Sequence, residues 1–181
     1  MHRGRLPPRC RIFLPILAFL LVFAAARHAV AAGSEAPAPP GPASSFLLEG
    51  ALRHPGRIGA AELRGLPATT LVVSLATDRG RLGGSWTGVL LWTLLERAGV
   101  RTKARTKNAV LLHTLVVTGS DGYAVALSFG EIDPRLGASP TIIAYAHNGK
   151  PLPSGEGLRL IVPGDKVAAR AVRDVASIDV R

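Results

Sequence analysis

Cysteine is almost missing from this chain. The 181 residues hold one, Cys10, and it precedes an apolar run near the N-terminus. If the segment through Ala31 is removed, what remains can form no disulfide, no thiolate nucleophile and no Cys-ligated metal site. Aromatic residues are also scarce: beyond residue 31 only Phe46, Trp86, Trp92, Tyr123, Phe129 and Tyr145 remain. Acidic side chains are absent from the first 31 residues, which carry Arg3, Arg5, Arg9, Arg11 and Arg27. The formal net charge of +10 therefore falls to +5 over residues 32–181, from 17 basic and 12 acidic side chains. No basic stripe interleaves with aromatics, so a nucleic-acid surface is not expected. No Gly-x-Ser-x-Gly elbow supports a hydrolase, and GRLGGSWTG lacks the Gly-Lys-Ser/Thr ending of a nucleotide-binding loop. His54, His113 and His147 are spread without metal-ligand spacing.

The N-terminus reads as a targeting segment. MHRGRLPPRCR is a basic start, IFLPILAFLLVFAAA is an apolar run of 15 residues, and Ala29-Val30-Ala31 offers small residues for cleavage. Residues 1–31 are thus expected to be a signal peptide that sends the protein to the periplasm or outside the cell; a retained anchor is the competing reading. Arg9-Cys10-Arg11 is not a twin-arginine pair. Residues 32–45 are rich in Pro and Ala, cannot bury enough surface to offset ordering entropy, and read as a flexible tether.

Residues 46–181 then form one domain, long enough for its own core. FLLEGALRH reads as a strand, AAELRGLP as one or two helical turns ended by Pro67, and TTLVVSLAT (69–77) as a buried strand. GRLGGSWTG reads as a glycine-rich loop. VLLWTLLERAG (89–99) is an amphipathic helix, with Thr87 as a candidate cap and Gly99 as its stop. Ser120-Asp121-Gly122 and Asn148-Gly149 mark two hairpins, and LRLIVPG and DVASIDV close the domain as strands. The fold class is α+β, dominated by strands in a mixed, barrel-like sheet.

The ordered blocks LEGALRHPGRIGAAELRGLP, WTGVLLWTLLERAGV, SDGYAVALSFGEI, IIAYAHNGKPLP and GLRLIVPGDKVAARAVRDVASIDV resemble the sulfite-oxidase-type molybdopterin-binding domain. The resemblance implies a compact β-rich fold with a pocket for pterin or molybdopterin. It also implies, in catalytic members, a cysteine ligand to molybdenum just after the strand equivalent to TLVVSLAT. Ser74, Leu75, Ala76 and Thr77 occupy that stretch here, and a hydroxyl does not reproduce thiolate donation to the metal. The branch it most resembles is small, exported, cysteine-less pterin-binding proteins that report ligand state to a membrane-anchored signalling partner. Loss of redox catalysis is the leading expectation; a molybdenum oxidoreductase with non-cysteine ligation is the alternative.

A pterin asks for an aromatic plane and for a carboxylate that accepts two parallel N–H bonds. Trp86, in the glycine-rich stretch, is the candidate plane or else packs over the core edge, whereas Trp92 belongs to the helix core. Tyr123 either lines the pocket or simply starts a strand. Asp78 falls where the enzymes carry their metal cysteine and is the first candidate carboxylate; Asp121 is foremost a turn residue. Arg79 and Arg81 bracket the glycine-rich stretch and offer guanidinium forks to an anionic tail. Arg159 matches the arginine of the family's closing motif, as a pocket residue or a strand ion pair. Trp86, Asp78, Arg79, Thr77, Ser74, Asp121, Tyr123 and Arg159 make up the expected ligand-binding set, with no metal ligand among them.

Overall fold

The computed structural model describes residues 45–102, 107–153 and 155–181. The expected leader and residues 32–44 of the expected tether lie outside the described residues; Ser45 already belongs to the first strand. Ten strands make two sheets. The first runs β2 (Gly56–Gly59), β1 (Ser45–Gly50), β10 (Val175–Val180), β5 (Thr114–Gly119), β6 (Ala124–Ser128). Its β1–β10 pair is parallel and its other neighbours are antiparallel. The second runs β3 (Ala68–Thr77), β4 (Gly80–Leu90), β7 (Ile142–His147), β8 (Lys150–Pro151), with β9 (Arg159–Ile161) also on β7. Neither sheet closes on itself, so the barrel-like expectation resolves into two open sheets. Three short helices complete the fold: α1 (Ala60–Arg64), α2 (Leu91–Ala98) and α3 (Phe129–Ile132).

Alternation along the strands divides the interior into two cores. Phe46 and Leu48 of β1, Leu115 and Val117 of β5, and Ile178 and Val180 of β10 point one way from the first sheet. They join Leu91, Leu94, Leu95 and Ala98 of α2, and Val89, Ile143 and Leu160 of the second sheet, in the main core. The opposite face of the second sheet builds a smaller core from Val73, Leu75, Trp86, Ile142, Ala144 and Ile161. Ile142 and Ile143 thus serve different cores, which is why β7 reads as an unbroken apolar run.

Several local expectations hold. Ser120-Asp121-Gly122 joins β5 to β6, and Asn148 and Gly149 turn β7 into β8 with φ of 49° and 74°. Gly99 ends α2 at φ 67°, donating its N–H to Leu95 O at 2.9 Å. Three others are corrected. GRLGGSWTG is not a loop: it forms β4, in register with β3 from Ala68↔Val89 to Thr77↔Gly80. Gly84 and Gly88 answer to close packing: a Cβ on Gly88 would lie 2.2 Å from the Ile143 carbonyl oxygen across the β4–β7 bulge. Thr87 therefore lies in a strand, its hydroxyl 2.9 Å from that of Thr70, and does not cap α2. The helix starts with the Leu91 N–H donated to Thr141 O at 2.8 Å. Finally, β3 is an edge strand and is buried only through Val73 and Leu75.

Gly88→Ala is expected to cost about 1–3 kcal/mol, because no flexible side chain can yield to the new methyl. Gly59→Ala, where a Cβ meets nothing within 4 Å, is the matched control and should stay close to wild type. Urea unfolding of the two variants checks the difference.

Candidate functional site

A cleft of about 800 Å³ opens where the end of β3, the β5–β6 turn, β9 and the segment before β10 converge. That volume falls within the range of small-molecule sites, roughly 300–1,000 Å³. Thr77 and Asp78 come from the end of β3 and its turn, Asp121 and Tyr123 from the β5–β6 turn, and Arg159 from β9. Ala76, Val167, Ala168, Ala169, Ala171 and Arg173 supply the remaining wall. Five of the eight residues expected from the sequence are therefore neighbours in space, although they are separated by up to 82 positions, from 77 to 159.

Arg159 is the cleft's most constrained polar group. Only 13% of its side chain is exposed, and its nearest carboxylate, Glu156, is 3.9 Å away. The buried Nε has no hydrogen-bond partner among the described residues. Its guanidinium lies 5.4 Å from the centre of the Trp86 ring, within cation–π range. Burial lowers the pKa of this guanidinium; Glu156 opposes the shift and the like charge of Arg173 adds to it. Arginine remains charged throughout the physiological range, so the consequence is an under-neutralised cation on the cleft wall.

Trp86 does not present the open ring expected of it. It is 1% exposed and lies within β4, opposite His147 in the β4–β7 register. The His147 ring stacks on it at 4.0 Å and 17°, while His147 Nε2 lies 2.9 Å from Gly83 O. Trp86 is thus a floor beneath Arg159. Ser74 and Arg79 are likewise absent from the cleft lining. Ser74 occupies the β3 face opposite Val73 and Leu75, where its hydroxyl accepts from Arg81 Nε at 2.8 Å and its carbonyl from Arg81 Nη2 at 2.9 Å. Arg79 lies in the β3–β4 turn, its N–H bonded to Thr77 Oγ1 at 3.3 Å. β4 pairs with β3 along nearly its whole length and with β7 from Trp86 to Leu90, and none of its residues lines the cleft, so the glycine-rich stretch offers the cleft no anion nest.

The acidic side of the cleft divides in two. Asp121 closes its turn by accepting the Tyr123 N–H at 3.0 Å, and Asp78 makes no hydrogen bond or ion pair among the described residues. Tyr123 is 51% exposed and reaches across the cleft to donate its hydroxyl to Ala169 O at 2.7 Å. The 167–171 wall is anchored at its other end by Arg170, which pairs with both oxygens of Asp165 at 2.7 and 3.0 Å and with Glu131 at 3.2 Å. Those partners, Asp165 foremost, raise the Arg170 pKa further. Glu131 is itself fixed by the α3 capping box with Ser128. Sequence reasoning missed Arg173, Arg170 and the Trp86–His147 stack; no local signal marks them, since each depends on pairing between distant segments.

This arrangement can hold a ligand with an anionic group against Arg159 and Arg173 and hydrogen-bond donors toward Asp78 and Asp121. The model for the oxidoreductase molybdopterin binding domain matches residues 42–181, most of the chain. The chain belongs to that family. Its fold also matches a solved structure, the sulfane dehydrogenase SoxCD from Paracoccus pantotrophus, with a TM-score of 0.60 and 19% identity. That match covers 75% of this chain and 37% of the SoxCD chain, so this chain spans little more than a third of the relative's length. At that identity the likeness shows the fold. No curated protein matches the sequence.

The fit to a molybdopterin differs between its parts. The cleft's volume, the loosely neutralised Arg159 and the two aspartates suit the organic pterin and its phosphate. No cysteine occurs from residue 45 to 181, so this segment supplies no thiolate to a metal.

Arg170→Ala should loosen the 167–171 wall and lower stability by about 1 kcal/mol, a modest figure because a third of the side chain is in water. Amide exchange should rise in residues 166–171 and stay unchanged in β5 and β10; equal protection in the two proteins would contradict the anchoring role.

Proposed function

We propose that this member of the molybdopterin-binding domain family binds a phosphate-bearing pterin in the cleft and serves as a binding protein without thiolate-ligated molybdenum chemistry. The observation that carries the reading is Arg159: a mostly buried cation, 3.9 Å from its nearest carboxylate and with a free Nε, on the wall of a cleft of ligand size. An anion is the partner such a group lacks, because a charged hydrogen bond in a partly desolvated site contributes about 1.5–3 kcal/mol. Arg173 reinforces the attraction, Asp78 and Asp121 accept from the amino-pyrimidinone edge, and Tyr123 holds the roof to Ala169. Molybdenum carried by such a pterin would supply two-electron redox chemistry. The residues described here would then bind and orient the cofactor, and nothing in them replaces the thiolate. Export through the N-terminal segment and communication with a membrane-anchored signalling protein complete the proposal, supported by the leader's basic-then-apolar pattern.

Titration calorimetry with a pterin phosphate and with the same pterin lacking phosphate tests the reading. Wild type should prefer the phosphorylated compound, and Arg159→Ala should lose roughly 10- to 100-fold in affinity for it alone. Equal affinity of wild type and Arg159→Ala for the phosphorylated pterin would remove the anion site.

A further inference from the structure

The edge of the second sheet carries a feature that the cleft does not use. β3 pairs with β4 on one side only, and its ten residues, Ala68–Thr77, include no charged residue and no proline. Natural edge strands are ordinarily protected by such residues, because a row of unpaired N–H and C=O groups is a template for another strand. The direction of those groups follows from two bonds. The Ala76 N–H donates outward to Lys166 O at 3.0 Å, and Ser74 O accepts from Arg81 Nη2 at 2.9 Å. Backbone groups alternate along a strand, so Ala68, Thr70 and Val72 turn theirs to the same open side as Ser74 and Ala76. Lys166 and Arg81 thus cover the C-terminal part of the edge, and the stretch Ala68–Val72 is left without such cover among the described residues. Val72 is 83% exposed there.

We propose that Ala68–Val72 is a homotypic docking edge, on which the β3 strands of two copies of this chain pair antiparallel about a two-fold axis. The absence of charge favours a second copy, since an identical edge brought alongside meets no like-charge repulsion. A foreign segment would find only Ala68, Thr70 and Val72 on the outward row, with neither charge nor ring to select it. A two-fold antiparallel pair also closes after two copies, giving a dimer and not a fibre. Thr70 and Val72 lie at its centre, and the two second sheets join edge to edge. The pairing is short, so the dimer is weak and concentration-dependent. This inference stands apart from the ligand proposal, because no residue of Ala68–Val72 lines the cleft.

Sedimentation equilibrium of the protein as its host processes it, up to high micromolar concentration, tests the edge. Wild type should move toward twice the chain mass. Val72→Lys should remain at the single-chain mass because it brings two ammonium groups within reach of each other diagonally across the two-fold axis, and Val72→Thr should dimerise as wild type does. Circular dichroism should show all three folded, since the position is exposed. A wild type that stays monomeric throughout, or a Val72→Lys protein that dimerises as wild type does, would overturn the proposal.

Discussion

A guanidinium held out of water against an indole, without a carboxylate in direct contact, is the constraint around which this domain is arranged. The Arg159 charge lies 5.4 Å from the Trp86 ring centre and 3.9 Å from Glu156. Cation–π contact contributes about 0.5–2 kcal/mol, less than desolvation of a charge can cost. The group is therefore under-compensated, and the part of it not packed against protein lines the cleft. A binding site is a natural place for such a residue, because the ligand supplies the missing opposite charge.

The fold serves that placement. β4 carries Trp86 between β3 and β7, and the β4–β7 register sets His147 directly against the indole. That stack requires the two strands to approach closely, which is what Gly88 permits opposite Ile143 and Gly84 beside His147. β9 brings Arg159 in along β7, flanked directly by Leu158 and Leu160, which are anchored in the main core. On the other side, Arg170 ties the 167–171 wall to Asp165 and to the α3 cap, and Tyr123 reaches it from the β5–β6 turn. Rigid strands thus hold the cation, and a clamped loop faces it.

Much of this was legible where the chemistry is local. Asn148-Gly149 and Ser120-Asp121-Gly122 state their turns outright, Gly99 states the end of α2, and the alternation in β5 and β10 follows the pleat. The glycine-rich stretch misled because Gly84 and Gly88 have the same letters whether they loosen a loop or admit a neighbouring backbone; only the position of β7 distinguishes the cases. Trp86 misled for the same reason, since its burial depends on His147, 61 positions away. Thr77, Asp78, Asp121, Tyr123 and Arg159 were reached through family resemblance and turn position and meet in one cleft, whereas Ser74 was lost to the alternation of β3. Arg173 and Arg170 belong to an irregular segment whose course is set by tertiary bonds, and no periodic pattern announces them.

The proposed role requires the cleft to hold a phosphate-bearing pterin without a thiolate-bound metal. Its most direct test is to purify the protein from its own host, denature it, identify the released small molecules by mass spectrometry, and assay molybdenum in the same sample. A phosphorylated pterin released with molybdenum far below one equivalent is the expected result. Molybdenum at one equivalent per chain, or a protein that releases no pterin, would contradict it.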